Sequence, residues 1–567
     1  MTALKGHDVH QGADLNRPWL DNYPPGVPAA INEQELETLP NIFRKVVHGF
    51  ADKCALESFG ARMTYTQLGH HADAITGWLQ SRGLVKGDRV AVMLPNIAAY
   101  PAILFGVLNG GYTAVNVNPL YTARELLFQL RDSAPKILFV LENFAALAEQ
   151  VREETGLEDI VVVRPGDMLG IKGTLINVVS LFKGKTGQSM KSNRLTLNEV
   201  LGEGEKHTPK PVVITLDDIA FLQYTGGTTG RSKGAMLSHR SVAANIDQCR
   251  LWMEPRFGSS ELIMVTALPL YHIFGLVICC LLMVRLGGKQ ILIADPRDLD
   301  SFVKILASQR FTLFAGVNTL YRALLDHPKI RNADFSKVIF CMSGGMATHT
   351  VVARRWKELT GSTIIEGYGL SETSPVVSVN PLDSEDFSGT VGFPVPSTDV
   401  VVRTSDGTDV STGMRGELCV KGPQVMTGYW HRPEETAAAM TSDGYFKTGD
   451  VAILDDVGRI TIVDRLKDMI LVSGFNVYPN EVEDVLTLHP AVREAAVVGM
   501  LDEQGCETIW AHVVLKDHEH ADASEILAFC RENMTAYKVP KRIVFRDSLP
   551  KSNVGKLLRR VLKGEVV

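Results

Sequence analysis

Between Asp88 and Glu142 the chain switches repeatedly between two hydrophobic periods. "DRVAVMLPN" reads as a strand, "AAYPAILFGVLNG" as a helix closed by glycine, and "TAVNVN" as a strand. "TARELLFQLRDS" is then a helix and "KILFVLE" another strand. Strands separated by helices are too far apart in sequence to pair as hairpins. They are expected to lie parallel, in a sheet that helices cover on both faces. The fold class expected is therefore α/β.

A chain of 567 residues has room for more than one domain. From about Gly416 to Asp464 the texture changes, with short apolar runs broken by "SDG" and "DDVG". That pattern predicts antiparallel strands and tight turns, a small β subdomain. After Lys467 comes a unit of roughly 100 residues with α+β character, enough for a small domain. In it "PNEVEDVLTLH" and "SEILAFCRENM" read as helices, "AVREAAVVGM" and "TIWAHVVLK" as strands. The division expected is a large domain over 1–466, of layered, mostly parallel sheets, and a small domain over 467–567.

Residues 164–215 depart from the pattern and read as loop-like. Lys172, Lys183, Lys185, Lys191, Lys206 and Lys210 surround the apolar "TLINVVSLF". A surface insertion and an interfacial helix that touches a membrane are both compatible with this composition.

Several function classes lose support. A net charge of −6 supplies no bulk field for nucleic acid or an anionic surface. The N-terminal "MTALKGHDVHQGADLNRPW" lacks the apolar core of a secretory signal. The longest apolar run, Ile273 to Val284, falls short of the ~20 residues that cross a bilayer, so it is expected to be a core helix. A cytoplasmic location follows as the expectation, with contact at the inner face of the membrane left open. The eight cysteines form no C-x-x-C pair and are expected to be buried thiols. His518 and His520 lack a convincing third metal ligand.

The segment "YTGGTTGRSKGAMLSH", from Tyr224 to His239, crowds glycines, threonines and a lysine between two regular elements. "IAFLQYT" before it is a strand. "SHRSVAANI" after it is a helix start, with Ser238 as N-cap. Strand, glycine-rich turn and helix is a layout that wraps backbone N–H groups around phosphate oxygens. Thr225, Gly226, Gly227, Thr228, Thr229 and Gly230 would form the wrap, with Lys233 adding charge. The Walker pattern does not fit, because Lys233 precedes Gly234.

This segment resembles the phosphate-binding signature of the adenylate-forming enzymes, the superfamily of acyl-CoA synthetases, luciferases and peptide-synthetase adenylation domains. "LPLYHIFGL", "EGYGLSET", "IVDRLKDMILVSGFNVYPNEVEDV" and "LPKSNVGKLLRR" match in order. Their wording most resembles bacterial long-chain fatty-acid–CoA ligases. The resemblance implies two half-reactions. A fatty carboxylate first attacks the α-phosphorus of ATP, giving an acyl-adenylate and pyrophosphate. The thiol of coenzyme A then displaces AMP.

The resemblance also implies roles. Lys556 would bridge carboxylate and α-phosphate, and Glu372, with Thr225, would hold Mg2+. Ser343, Gly344 and Gly345, with Glu366, Gly367, Tyr368 and Gly369, would surround adenine, Tyr368 lying flat on it. Asp450 and Arg465 would take the ribose. Lys467 would be the hinge about which the small domain moves, exchanging Lys556 for Gly474 and Phe475 beside coenzyme A. His272, Gly275, Ala315 and Gly316 would line the acyl pocket. Two positions depart from the family pattern: Ser371 stands where many relatives have threonine, and Ser343 where close relatives often have glycine. Medium-chain or aryl acids, and a carrier-protein acceptor, are the alternatives, and a homodimer is compatible with either.

Overall fold

The computed structural model describes residues 17–182, 194–225, 232–258, 260–472, 475–502, 506–552 and 555–564. Two large sheets dominate. The first has eight strands, running Gly428–Tyr429, Lys233–Ser238, Ile219–Thr225, Thr113–Asn116, Arg89–Met93, Ile137–Leu141, Asp159–Val163 and Leu195–Thr196. All its pairs are parallel except the two that involve Lys233–Ser238. The second has nine strands, with a parallel centre from Ile364–Gly369 through Phe340–Ser343, Leu313–Gly316, Ile263–Thr266 and Lys289–Leu292 to Cys54–Ser58.

The helix Ala99–Asn109, "AYPAILFGVLN", is apolar on every side because it is buried all round. It shares one core with inward-facing residues of both sheets. Capping boxes start two neighbouring helices: Thr64 with Gln67 before Tyr65–Ser81, and Thr122 with Glu125 before Ala123–Ser133. Ile273–Val284 is buried, as expected, apart from half-buried Phe274, but within it Gly275–Leu281 is π-helical before the α-helical Leu282–Arg285.

The antiparallel β unit contains Asp399–Arg403, Arg415–Lys421, Phe446–Leu454 and Ile460–Arg465. It begins about one strand earlier than the sequence texture suggests. Beyond it a hairpin, Ile470–Val472 with Phe475–Val477, leads to a small α+β domain. There Val492–Leu501, Glu507–Leu515 and Arg542–Phe545 form a sheet, packed by helices Pro479–Leu488 and Ala523–Asn533 around a core of its own.

Three expectations are corrected. Residues 164–215 are not loop-like throughout. They hold a helix over Gly170–Phe182, and a second, Leu197–Gly204, begun by a capping box of Thr196 and Glu199; Lys183, Lys185 and Lys191 lie outside the described residues. The glycine-rich segment is not followed directly by a helix. Lys233–Ser238 is a strand that pairs back on Ile219–Thr225, so the segment joins two antiparallel strands. Ser238 does cap the helix His239–Phe257, accepting from the N–H of Ser241 at 3.1 Å, but at the far end of that strand. The cysteines are free, yet not all buried: Cys506 is exposed and Cys54 half-buried.

Candidate active site

The parallel strands of the nine-stranded sheet end in the segments that the sequence singles out. Gly316 is paired with Ser343, and Ser343 with Glu366. Ser343 is buried, and its Oγ accepts from Thr348 Oγ1 at 2.7 Å. The N–H of Thr348 donates to Glu366 Oε1 at 3.1 Å. Burial pushes the Glu366 carboxyl up to about 7 against those Thr348 hydrogen bonds. Gly344 faces the ring of Phe274 and the carbonyl of Gly367, and Gly345 has φ +78°. Gly367 and Gly369 pair with Val379 and Val376.

Tyr368, in the same strand as Glu366, donates its hydroxyl hydrogen to Asp450 Oδ2 at 2.5 Å. Asp450 is 3% exposed. Its other oxygen takes Arg465 Nε at 2.7 Å, across a pair of antiparallel strands that sets the two residues opposite each other. Burial raises the Asp450 carboxyl above the usual range, while the charges of Arg465, Lys556 and Lys467 oppose that rise. Burial also holds the Tyr368 phenol well above its ordinary value.

Glu372 lies in the turn Ser371–Thr373, which packs on the ends of Ile219–Thr225 and Lys233–Ser238. Its Oε1 accepts from the hydroxyl of Tyr429 at 2.8 Å. The face of the same tyrosine ring lies 5.0 Å from the ammonium of Lys233, whose ion partner is Glu435. Thr225 is paired with Lys233, and its carbonyl accepts from Ser232 Oγ at 2.5 Å. Gly226, Gly227, Thr228, Thr229, Gly230 and Gly474 lie outside the described residues. Tyr429 and Glu435 were not singled out from the sequence. Their only local signal is the run "MTGYWHRPEET", and Tyr429 comes to Lys233 through a strand pairing that sets it opposite Ala235, distant in sequence.

The small domain brings Lys556 into this region. A bridge between Lys551 and Leu557 closes a tight hairpin around Gly555 and Lys556, and the Ser552 N–H donates to the Lys556 carbonyl at 2.7 Å. The hairpin rests on Thr319, at the start of helix Asn318–Asp326 of the large domain. Arg322 with Glu494, and Arg415 with Glu481 at 2.5 Å, fasten the domains on either side. Crowding by protein, then the guanidinium of Arg465, lowers the Lys556 ammonium to about 8, although the side chain keeps access to solvent. Lys556 in turn adds to the burial that holds His272 down at about 4, so His272 is neutral near pH 7. Glu372 acts on Arg465 and Lys467 through the same field.

Gly275 opens the π-helical turn beside His272, where a Cβ would come within 2.4 Å of the Pro269 carbonyl. Ala315 is buried and Gly316 stands against the ring of Tyr321. Lys467 sits in the turn Leu466–Asp468 that leaves the β unit. Phe475 is apart from the cleft in its contacts: it stacks on Tyr537 of the small domain, centroids 4.7 Å apart, and is 55% exposed.

A buried aspartate with its arginine partner, an aromatic hydroxyl and a lysine delivered by a second domain thus meet beside the ends of a parallel sheet. This fold and cleft define a two-domain nucleotide-binding enzyme. The chain belongs to the AMP-binding enzyme family. The family's sequence pattern matches residues 43–430, and that of the AMP-binding enzyme C-terminal domain matches 481–556. The chain is 46% identical to a long-chain-fatty-acid–CoA ligase of Escherichia coli O157:H7, over 97% of this chain and 98% of that protein. It is 37% identical to one of Bacillus subtilis (strain 168), over 97% and 98%. Among solved structures, the anthranilate CoA ligase AuaEII in complex with anthranoyl-AMP superposes with a TM-score of 0.82 at 25% identity, covering 94% of this chain and 99% of that one.

Proposed function

We propose that the chain is a long-chain-fatty-acid–CoA ligase, which activates a fatty acid with ATP through an acyl-adenylate and passes the acyl group to coenzyme A, releasing AMP and pyrophosphate. The observation that carries this reading is the position of Lys556, within the electrostatic reach of Asp450, Arg465 and His272. Adenylation drives a carboxylate against a polyanion. Two unit charges 4 Å apart repel by about 4 kcal/mol at an effective dielectric of 20. A cation aimed at the reacting oxygens offsets that repulsion as the transition state forms.

In this reading Lys556 bridges the fatty carboxylate and the α-phosphate. Asp450 accepts hydrogen bonds from the ribose hydroxyls, with Arg465 holding its second oxygen. The ring of Tyr368 lies on adenine between the backbone of Ser343–Gly345 and that of Glu366–Gly369. Thr225 through Gly230 and Lys233 take the β- and γ-phosphates, which draw Lys233 away from Glu435. His272, Gly275, Ala315 and Gly316 line the start of the acyl path.

A carboxylate and a hydroxyl, Glu372 and Thr225, are hard oxygen donors that suit Mg2+. Among the described residues no group of three or more His, Cys, Asp or Glu gathers to hold a metal by itself. Phosphate oxygens and water would therefore complete the shell. Bound there, Mg2+ neutralises part of the triphosphate charge and so favours departure of pyrophosphate.

The second half-reaction needs the lysine gone. We take residues 1–466 and 467–567 as the two moving bodies and Lys467 as the hinge. Rotation about it withdraws Lys556 and presents Gly474 and Phe475 to the pantetheine thiol. Peripheral membrane contact is assigned to the helix Gly170–Phe182. Ile171, Leu175 and Val178 lie on one side of it and are 86%, 62% and 42% exposed, with Lys172 beside them. No helix among the described residues is long and apolar enough to cross a membrane.

The test of the function is coenzyme A-dependent AMP formation across acids from acetate to oleate. The rate constant kcat/KM is expected to rise with chain length to a maximum among long chains. A maximum at acetate or at an aryl acid would overturn the substrate class.

A further inference from the structure

One face of the nine-stranded sheet carries three polar side chains in an otherwise apolar core. Gln290, Thr266 and Ser58 are 0%, 0% and 1% exposed. Their strand neighbours Ile291, Val265 and Ala267 pack into the core on the opposite face, while Leu56, Met264 and Leu292 share theirs. The hydroxyls of Thr266 and Ser58 have no hydrogen-bond partner among the described residues, and the Gln290 amide has none but the Cys280 thiol. Folded proteins leave few buried polar groups unpaired.

The register gathers the three. Leu292 is paired with Thr266 on one side and Ser58 on the other, and Gln290 precedes it by two residues on the same face. With strands ~4.8 Å apart and ~3.3 Å per residue, they occupy a patch roughly 10 Å across. Thr266 is also paired with Ala315, so a straight row leads from the start of the acyl path to the patch. The π-helical turn that Gly275 begins packs over this row, and its Cys280 thiol lies beside Gln290. A π-helical turn is an uncommon device that recurs at functional sites.

We propose that this patch receives the far end of the acyl chain and takes chains that end in a hydroxyl, the ω-hydroxy fatty acids. The proposal rests on the fatty-acyl reading of the site. A terminal hydroxyl both donates and accepts. The Gln290 amide offers the complementary pair, and the Thr266 and Ser58 hydroxyls rotate to fit. A terminal methyl leaves the Thr266 and Ser58 hydroxyls unpaired.

The experiment compares ω-hydroxy and unsubstituted acids of equal length, from eight to eighteen carbons, by AMP formation with coenzyme A. The ratio of their kcat/KM values is expected to peak at one length, about tenfold above its value at the shortest chains. Gln290→Leu and Thr266→Val are each expected to lower that peak by about tenfold. Because the ratio is taken within one preparation, a general loss of activity in a variant cancels. A ratio that is flat over all lengths in the wild type overturns the proposal, and so does a peak that both variants retain. The unsubstituted series alone reports the underlying function. Its failure would overturn both readings, whereas a flat ratio with active unsubstituted acids overturns only this one.

Discussion

Gly555 of the small domain stands against Thr319 of the large one so closely that a Cβ on it would lie 2.5 Å from the threonine hydroxyl. Its φ is +82°, a region that side chains rarely adopt. The neighbouring Lys556 therefore reaches the cleft on a turn that only glycine forms without strain. Gly555→Ala adds the clash to left-handed strain of about 1–2 kcal/mol. Adenylation, measured as fatty-acid-dependent pyrophosphate release, is expected to slow about tenfold or more at 1.4 kcal/mol per decade. A Thr319→Ser change, which removes only a methyl, is expected to leave the rate within about twofold. Full activity in Gly555→Ala would show that the hairpin need not dock as seen.

The ammonium of Lys556 at about 8 fixes a pH dependence. The charged form is the one that steadies phosphate oxygens, and it is lost as pH rises through that value. For the pyrophosphate-forming half-reaction, kcat/KM is expected to hold level below pH 8 and to fall above it. Bound ATP, a polyanion, favours the ammonium, so the fall in kcat is expected at higher pH. Lys556→Arg, which stays charged, should abolish the alkaline limb whatever its absolute rate. A limb at the same pH in the arginine variant would assign it to another group.

Tyr368 has two separable features, a ring and the hydroxyl bonded to Asp450. If the ring packs on adenine, Tyr368→Phe should change kcat/KM for ATP by less than about threefold and Tyr368→Ala should lower it at least tenfold. Asp450→Asn leaves half-buried Arg465 with a weaker partner. Hydrogen bonds to charged groups contribute about 1.5–3 kcal/mol, so a loss of about 10- to 100-fold is expected. Equal losses in the two Tyr368 variants would make the hydroxyl, not the ring, the important part.

Replacing Ile171, Leu175 and Val178 together by serine tests the membrane assignment. All three are on the surface, so stability is expected to stay within roughly 0.5 kcal/mol per site. Sedimentation with vesicles of mixed phosphatidylcholine and phosphatidylglycerol is expected to drop several-fold. Unchanged sedimentation would remove the helix from the membrane account.

Much of the fold is legible in the sequence where order is local. Alternating periods mark the strands around Arg89–Met93 and Ile137–Leu141 and the helices between them. The antiparallel unit shows in its turns, and the small domain in its own helix and strand patterns. Reading failed where the deciding partner is distant. Lys233–Ser238 is short and follows glycines, and its character as a strand comes from pairing with Ile219–Thr225 and Gly428–Tyr429. The lysines around "TLINVVSLF" left a surface insertion and a helix both open, although Thr196 and Glu199 announce the next helix as a capping box. Site residues carried by a compact motif, such as Glu366 to Glu372, are visible as a group. Tyr429 is not, because it joins Glu372 to Lys233 only after both sheets have formed.

The central claim is that Lys556 serves the first half-reaction and not the second, and one pair of measurements on Lys556→Ala addresses it directly. Pyrophosphate release from oleate and ATP is expected to fall at least a hundredfold, while oleoyl-CoA formation from supplied oleoyl-adenylate and coenzyme A stays within about threefold of the unmodified enzyme. Equal loss in both measurements would contradict the division of labour on which the mechanism stands.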